Sequence, residues 1–93
     1  MNAAEELQPS EEMLARAGEV RQAHEAELMR RANVVGVGVG LRRRQGKSTG
    51  EVALVVLVRR KLPREMLAPE DRVPAEIDGV PVDVQEVGEI AAA

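Results

Sequence analysis

The stretch that decides the fold is Val34-Val35-Gly36-Val37-Gly38-Val39-Gly40-Leu41. Its side chains alternate with the two-residue period of a β-strand. One face carries Val35, Val37, Val39 and Leu41, and the other carries Val34 followed only by Gly36, Gly38 and Gly40. Because a glycine face weakens a strand, we expect another part of the structure to approach this backbone closely. The pattern leaves open whether that neighbour is a helix or a partner chain.

The residues before this stretch predict a long amphipathic helix over 11–31. Apolar side chains recur there at steps of three and four residues. The hydroxyl of Ser10 is suited to cap the first turn, and the helix dipole favours the negative charges of Glu11 and Glu12 that follow. His24 falls on the apolar stripe, where we expect a hydrogen-bonded histidine of the core or of an interface.

The residues after this stretch predict the rest of a small sheet. Residues 42–50 have the composition of a polar connection, and 51–59 form a second strand that is apolar on both faces and therefore central. Pro63 is suited to open a short helical turn. Asp78-Gly79 is a hairpin signal, and the strand after it contains a proline that places it near an edge. We therefore predict an α+β fold, with a long N-terminal helix packed on a small, mainly antiparallel sheet of three to four strands and one short helical turn.

The composition excludes several classes of function. The 93 residues are 44% hydrophobic, with one histidine and no cysteine, phenylalanine, tyrosine or tryptophan. The chain therefore has no thiol nucleophile, no zinc finger and no aromatic platform for bases or sugars. No apolar run reaches membrane length, and the first residues lack the basic start of a targeting peptide. We expect a cytoplasmic protein without cofactor, metal or membrane partner, built as one domain over 11–88 between tails at 1–10 and 89–93.

Motifs for catalysis and nucleotide binding are incomplete. The glycines of residues 36–40 miss the dinucleotide-binding spacing by one residue, and Gly40 to Ser48 is one residue too long for a phosphate loop. A catalytic relay would have to join His24 to Ser48 and to one aspartate, and none of these residues stands in a nucleophile context. The aspartates available for it are Asp71, Asp78 and Asp83. We therefore predict that the chain is not an enzyme.

Positive charge is concentrated in the middle of the chain. Residues 30–64 carry a net charge of +9, whereas residues 1–29 carry −5 and residues 65–93 carry −7. Antiparallel pairing of the first two strands would bring Arg30 and Arg31 near the residues that follow the second strand. The candidate surface for anions or a partner consists of Arg42, Arg43, Arg44 and Lys47 at the loop end of the hairpin, and Arg59, Arg60 and Lys61 at the other end.

Two interpretations of these basic groups stay open. They could bind phosphates, for which the arginine guanidinium is well suited. Alternatively, they pair with Glu65, Glu70 and Asp71 and keep the sheet edge from aggregating. The net charge of −3 and the absence of aromatic residues favour ion pairing over nucleic-acid binding.

Ordered glycines and prolines in residues 33–88 resemble a known segment. They lie in Asn33 to Gly40, Thr49 to Val58, Lys61-Leu62-Pro63 and Val73 to Gly88, the last of which contains Ile77-Asp78-Gly79-Val80-Pro81. This order resembles the N-terminal accessory segment that precedes the protease domain of bacterial and plant trypsin-like serine peptidases. The resemblance implies a compact, propeptide-like or assembly module. It carries over no catalytic residue, because no Gly-Asp-Ser-Gly-Gly stretch is present.

The function that these observations favour is a non-enzymatic interaction or accessory module that self-associates. A central strand that is apolar on both faces needs cover on both, and the helix can cover only one. A two-fold dimer is the commonest solution, with another protein partner as a further outcome. The alternative is an anion- or nucleic-acid-binding domain that uses the arginine groups at both ends of the hairpin. A charge at Val56 distinguishes the two faces: it would split a dimer if the side chain faces a partner, and unfold the chain if it lies beneath the helix.

Overall fold

A computed structural model describes residues 10–88 and confirms the predicted α+β fold. One helix packs on a four-stranded mixed sheet. The elements are α1 (Glu11–Met29), β1 (Val34–Arg44), β2 (Lys47–Val58), β3 (Glu76–Ile77) and β4 (Val80–Glu86). Two 3-10 turns, Arg64–Met66 and Pro69–Asp71, lie between β2 and β3, where one short helical turn was predicted. Apart from Ser10, the expected tails lie outside the described residues.

Helix α1 begins where the sequence predicts and ends two residues earlier. The Ser10 hydroxyl accepts the backbone N–H of Met13 at 3.4 Å, so the predicted cap is confirmed. At the other end the backbone N–H of Arg30 donates to the carbonyl of Glu27, three residues back, which tightens the last turn. Asn33 then adopts a positive φ of 77° and directs the chain into β1. Asparagine tolerates this left-handed conformation better than most residues.

The strands lie in the order β1-β2-β4-β3, so the predicted central position of β2 is confirmed. β1 pairs with β2 and β3 pairs with β4 in antiparallel fashion, whereas β2 and β4 are parallel. Parallel neighbours cannot be joined by a tight turn, because the chain has to return to the starting end of the sheet. Residues 59–79 make this return, and we call them the crossover.

Residues 42–50, predicted to be a connection, belong almost entirely to the two strands. β1 and β2 extend until Arg44 lies opposite Lys47. Only Gln45 and Gly46 remain for the turn, and both have positive φ, 52° and 77°. That geometry is a type I′ turn, whose twist matches the twist of the flanking strands. The sequence pattern does not predict this turn, because Gln-Gly is less usual in type I′ turns than Asn-Gly or Asp-Gly.

The alternation along β1 is also interrupted. The pairing passes from Val34 opposite Val58 to Gly36 opposite Leu57, so β1 contains one extra residue at this point. Such a bulge reverses the side of the sheet on which the following residues lie. As a result Val34 is buried together with Val37 while Val35 is exposed, and the prediction that Val35 and Val37 lie on the same face is wrong.

The core lies between α1 and one face of the sheet. It joins Ala17, Val20 and Leu28 of α1 to Val34 and Val37 of β1, to Val52, Leu54, Val56 and Val58 of β2, and to Val80 and Val82 of β4. Val56 is fully buried in it, so this side chain belongs to the helix-covered face. The opposite side, which we call the open face, carries Gly36, Gly38 and Gly40 of β1 and Ala53, Val55 and Leu57 of β2.

Candidate functional site

The first basic group, the tip cluster, consists of Arg42, Arg43, Arg44 and Lys47 around the β1–β2 turn. Arg42 is paired within the hairpin, since its Nη1 lies 3.1 Å from Glu51 Oε1. Within residues 10–88 the other three side chains form no ion pair. The backbone of the tip is held instead, because the N–H of Arg43 donates to Asp83 Oδ2 at 3.0 Å. This bond joins β1 to β4 across the intervening β2.

The second basic group, the base cluster, consists of Arg59, Arg60 and Lys61 directly after β2. Asn33 fixes the backbone here: its carbonyl accepts the N–H of Arg59 at 2.9 Å, and its side-chain oxygen accepts the N–H of Arg60 at 3.0 Å. The backbone N–H of Lys61 donates to Glu86 Oε1 at 2.7 Å. The main chain is therefore well anchored while the three cationic side chains remain exposed.

The predicted ion pairs of the basic groups with Glu65, Glu70 and Asp71 are not made in the described part of the chain. Asp71 uses its carboxylate to accept the backbone N–H of Ala32 at 2.9 Å. Glu70 is contacted through its carbonyl, which accepts from Arg31 Nη1 at 3.3 Å. The interpretation of the clusters as neutralised by these three acids is therefore wrong.

Arg31 has a structural role that the sequence did not reveal. Its guanidinium donates to the carbonyls of Glu70 and Arg72 in the crossover and to Glu27 Oε1 in α1, the last at 2.9 Å. These contacts tie the crossover to the end of the helix. The two Nη atoms of Arg31 are thus engaged by the protein itself, whereas its Nε is buried with no hydrogen-bond partner among residues 10–88.

A cavity of about 150 Å³ opens beside the base cluster. Its apolar lining comes from Val34, Val58, Leu62, Leu67, Val73 and Val84, and its cationic lining includes Arg60, Lys61 and Arg64. Arg72 closes one side, since its Nε donates to the carbonyls of Arg64 and Leu67. Asp71 also lines the cavity, so its charged groups are of both signs, with cationic side chains in excess over the one acid.

The glycines of β1 are approached by side chains of the neighbouring strand. A Cβ at Gly36 would lie 3.2 Å from Leu57 Cδ1, and one at Gly40 would lie 3.1 Å from Val55 Cγ2. At Gly38 there is open space, with no heavy atom within 4 Å of such a Cβ. The close neighbour predicted from the glycine face is therefore β2 itself at two positions, and α1 lies on the other side of the sheet.

His24 and Asp78 form a contact between α1 and the β3–β4 turn. His24 Nε2 lies 2.9 Å from Asp78 Oδ2, and Arg16 Nη2 donates to the Asp78 carbonyl at 2.9 Å. Ser48 lies in the hairpin, where its hydroxyl accepts the N–H of Gly50. The conceivable Ser–His–Asp relay is thus not assembled by these contacts. The described residues contain no group of three His, Cys, Asp or Glu suited to a metal, and none of their helices could span a membrane.

Comparison with known proteins corrects the family suggested by the sequence. The family model that matches is the NARROW LEAF 1 N-terminal domain, over residues 12–87, which is well over half of the chain. No curated protein matches the chain. The match begins in α1 and ends just after β4, so it covers the whole folded unit. The resemblance to the accessory segment of trypsin-like serine peptidases is therefore replaced: this chain belongs to the NARROW LEAF 1 N-terminal domain family.

Proposed function

We propose that this domain is a non-enzymatic interaction module that self-associates. The observation that carries the proposal is the one-sided cover of the sheet. Val55 and Leu57 lie on the open face next to fully buried Ala53, and none of these three belongs to the core beneath α1. Val55 and Leu57 form an apolar strip that their own chain leaves half-buried, and such a strip is stabilised when another surface removes it from water.

A second copy of the chain is the partner that fits this strip. Beside it the open face of β1 carries only Gly36, Gly38 and Gly40, so no bulky side chain stands there, and an identical surface can meet it about a two-fold axis. The non-enzymatic part of the proposal is supported by the contacts of His24 and Ser48, which direct the two side chains to different partners.

The test is the molar mass of the purified chain by light scattering coupled to gel filtration. At ~0.1 mM, between the micromolar and millimolar ranges of affinity, we expect twice the chain mass of 10.1 kDa. The mass should fall toward that of one chain on dilution. A single-chain mass at every concentration up to this value would refute self-association.

The second candidate is an anion-binding domain, and one observation favours it. The cationic side chains of the base cluster form no ion pair among residues 10–88, and two of them line the cavity described above. Against it stand the net charge of −3 and the absence of aromatic residues.

Binding to a DNA duplex and to a single strand at several salt concentrations separates the two candidates. We expect nothing tighter than the non-specific range of ~10⁻⁴–10⁻⁶ M at physiological salt. Sub-micromolar binding that weakens steeply with salt would establish the second candidate instead. Alanine substitution of Arg42, Arg43 and Arg44 together, compared with Arg59, Arg60 and Lys61 together, would then show which cluster binds.

A further inference from the structure

β1 is an edge strand whose outer backbone groups can be identified. Backbone N–H and C=O groups alternate in direction along a strand. On β2, the carbonyl of Val58 accepts from Val87 on the β4 side, whereas the next residue, Arg59, donates to Asn33 on the β1 side. By alternation Leu57, Val55 and Ala53 also direct their backbone groups to β1, where they meet Gly36, Gly38 and Gly40.

The remaining residues of β1 therefore direct their backbone groups away from the sheet. They are Val37, Val39 and Leu41, all within the regularly paired part of β1. Val37, Val39 and Leu41 thus direct donors and acceptors to an edge at which no other described strand pairs, a ready template for another strand.

Two of the usual protections of an edge strand are missing from this segment. Residues 35–41 contain no charge and no proline, and the bulge lies only at the start of the segment. Irregular pairing bounds the segment on both sides, between Val34 and Gly36 and between Leu41 and Arg43. Beyond Leu41 the arginines of the tip cluster begin, and the backbone is taken by Asp83 within the same chain.

The order of residues in this segment is symmetric about Gly38. Val37 and Val39 flank it, Gly36 and Gly40 come next, and then Val35 and Leu41. If two copies of β1 pair antiparallel about an axis at Gly38, Val37 of one copy lies opposite Val39 of the other. Both residues direct their backbone groups to the free edge, so this register satisfies the hydrogen-bonding pattern. It also places glycine opposite glycine on the open face.

From these observations we infer that the domain dimerises by antiparallel pairing of β1 edges about a two-fold axis at Gly38, which joins two sheets into one of eight strands. The inference rests on the proposed self-association and places the contact at the edge of β1, beside the apolar strip and not over it. A second copy is the occupant because the donor pattern and the residue order of the edge are complementary to themselves.

The decisive experiment places opposite charges at the axis. In a dimer with this register, residue 38 of each copy lies directly across from its counterpart, at the distance where like charges repel and opposite charges attract. Gly38→Lys and Gly38→Glu each fit the folded chain, because a Cβ there meets open space. Each variant alone should dimerise more weakly than the wild type. An equimolar mixture should form a heterodimer about tenfold tighter than either variant homodimer at low ionic strength.

Two control variants accompany the pair. Gly38→Ala adds the Cβ without charge and should leave the dimer affinity within about threefold of the wild type. Gly18→Lys puts the same charge on α1, at another position with open space. Mixed with Gly38→Glu, the Gly18→Lys variant should form a heterodimer no tighter than the one that the wild type forms with Gly38→Glu. Circular dichroism of every variant verifies that the fold is retained.

Amide hydrogen exchange of the wild type provides an independent measurement. The N–H groups of Val37 and Val39 should exchange slowly at high protein concentration and quickly on dilution. Those of Gly36 and Gly38 bond to β2 and should stay protected throughout. The edge register would be refuted if the affinity of the dimer did not change with charge at residue 38 and the amides of Val37 and Val39 stayed unprotected. Self-association itself would then still stand. A chain that never associates would refute both.

Discussion

Replacing Val56 by lysine tests which face of the sheet belongs to the core. The adjacent Val55 provides a matched control, because the same substitution there falls on the open face. Val56 is fully buried and lies opposite Val37 in the register. Val55 is half-buried and lies next to Asp83 of β4.

The size of the effect follows from these surroundings. Val56→Lys gives up the burial of a valine side chain, about 1.5 kcal/mol or more, and places an ammonium where it has no partner, which costs several kcal/mol. The total of about 5 kcal/mol is comparable to the whole stability of a domain of this size, about 5–15 kcal/mol. We expect Val56→Lys to be largely unfolded, or to melt about 20 °C or more below the wild type.

Val55→Lys should behave differently because its charge can reach water and a carboxylate. A cross-strand pair of opposite charges contributes about 0.2–1 kcal/mol, which offsets much of the lost burial. We expect its midpoint to lie within about 8 °C of the wild type, equivalent to about 1 kcal/mol.

The assay is thermal and urea denaturation followed by circular dichroism of α1. Fluorescence gives no signal here, since the chain contains no tryptophan or tyrosine. Cooperative melting of Val56→Lys within a few degrees of the wild type would refute the assignment of faces. So would a Val55→Lys variant as damaged as Val56→Lys.

Three further substitutions probe the packing and the polar contacts. Leu54→Ala, at a fully buried position, should lower the free energy of unfolding in urea by about 2–5 kcal/mol; a loss below about 1 kcal/mol would contradict its place in the core. Asp78→Gly keeps the positive φ of 48° while removing the partner of His24, and should cost up to about 1 kcal/mol. That cost should disappear in a His24→Ala background. Asp83→Ala should speed amide exchange at Arg43 while leaving the midpoint nearly unchanged, because the contact it removes is exposed.

The elements of the fold were predictable because their signals are local. The three- and four-residue period of α1, the alternation of β1 and the Asp78-Gly79 turn each depend on neighbours in sequence. The centre of the sheet was also predictable, since β2 is apolar on both faces. The parallel pairing of β2 with β4 was not predictable from any local pattern, because it depends on the path that the crossover takes between the two strands.

The bulge at Val35 shows why the register was less accessible than the strand itself. An alternating pattern shows which residues share a face, but one extra residue moves all later residues to the opposite face. Because Val34 and Val35 are both apolar, either of them could fill the core position. Only the pairing of Val34 with Val58 decides which valine is buried.

The contacts of the candidate site depend on the tertiary fold. Arg31 was expected near the base cluster, but what its Nη1 contacts are carbonyls of the crossover. His24 was expected to be a hydrogen-bonded histidine of the core or of an interface; it is hydrogen-bonded, to Asp78 far along the sequence, but lies half-buried outside the core. The position of Asn33 at the end of α1 was predictable in principle, because asparagine tolerates the positive φ that often follows a helix.

The parallel pairing of β2 with β4 imposes an order on folding. α1, β1 and β2 follow one another along the chain, so their contacts close short loops and can form early. β4 joins last, after the crossover has brought it back beside β2. Until then the most apolar strand of the protein has an unpaired side, both after dilution from denaturant and during synthesis on the ribosome. Conditions that slow the docking of β4 should therefore favour aggregation over misfolding within a single chain.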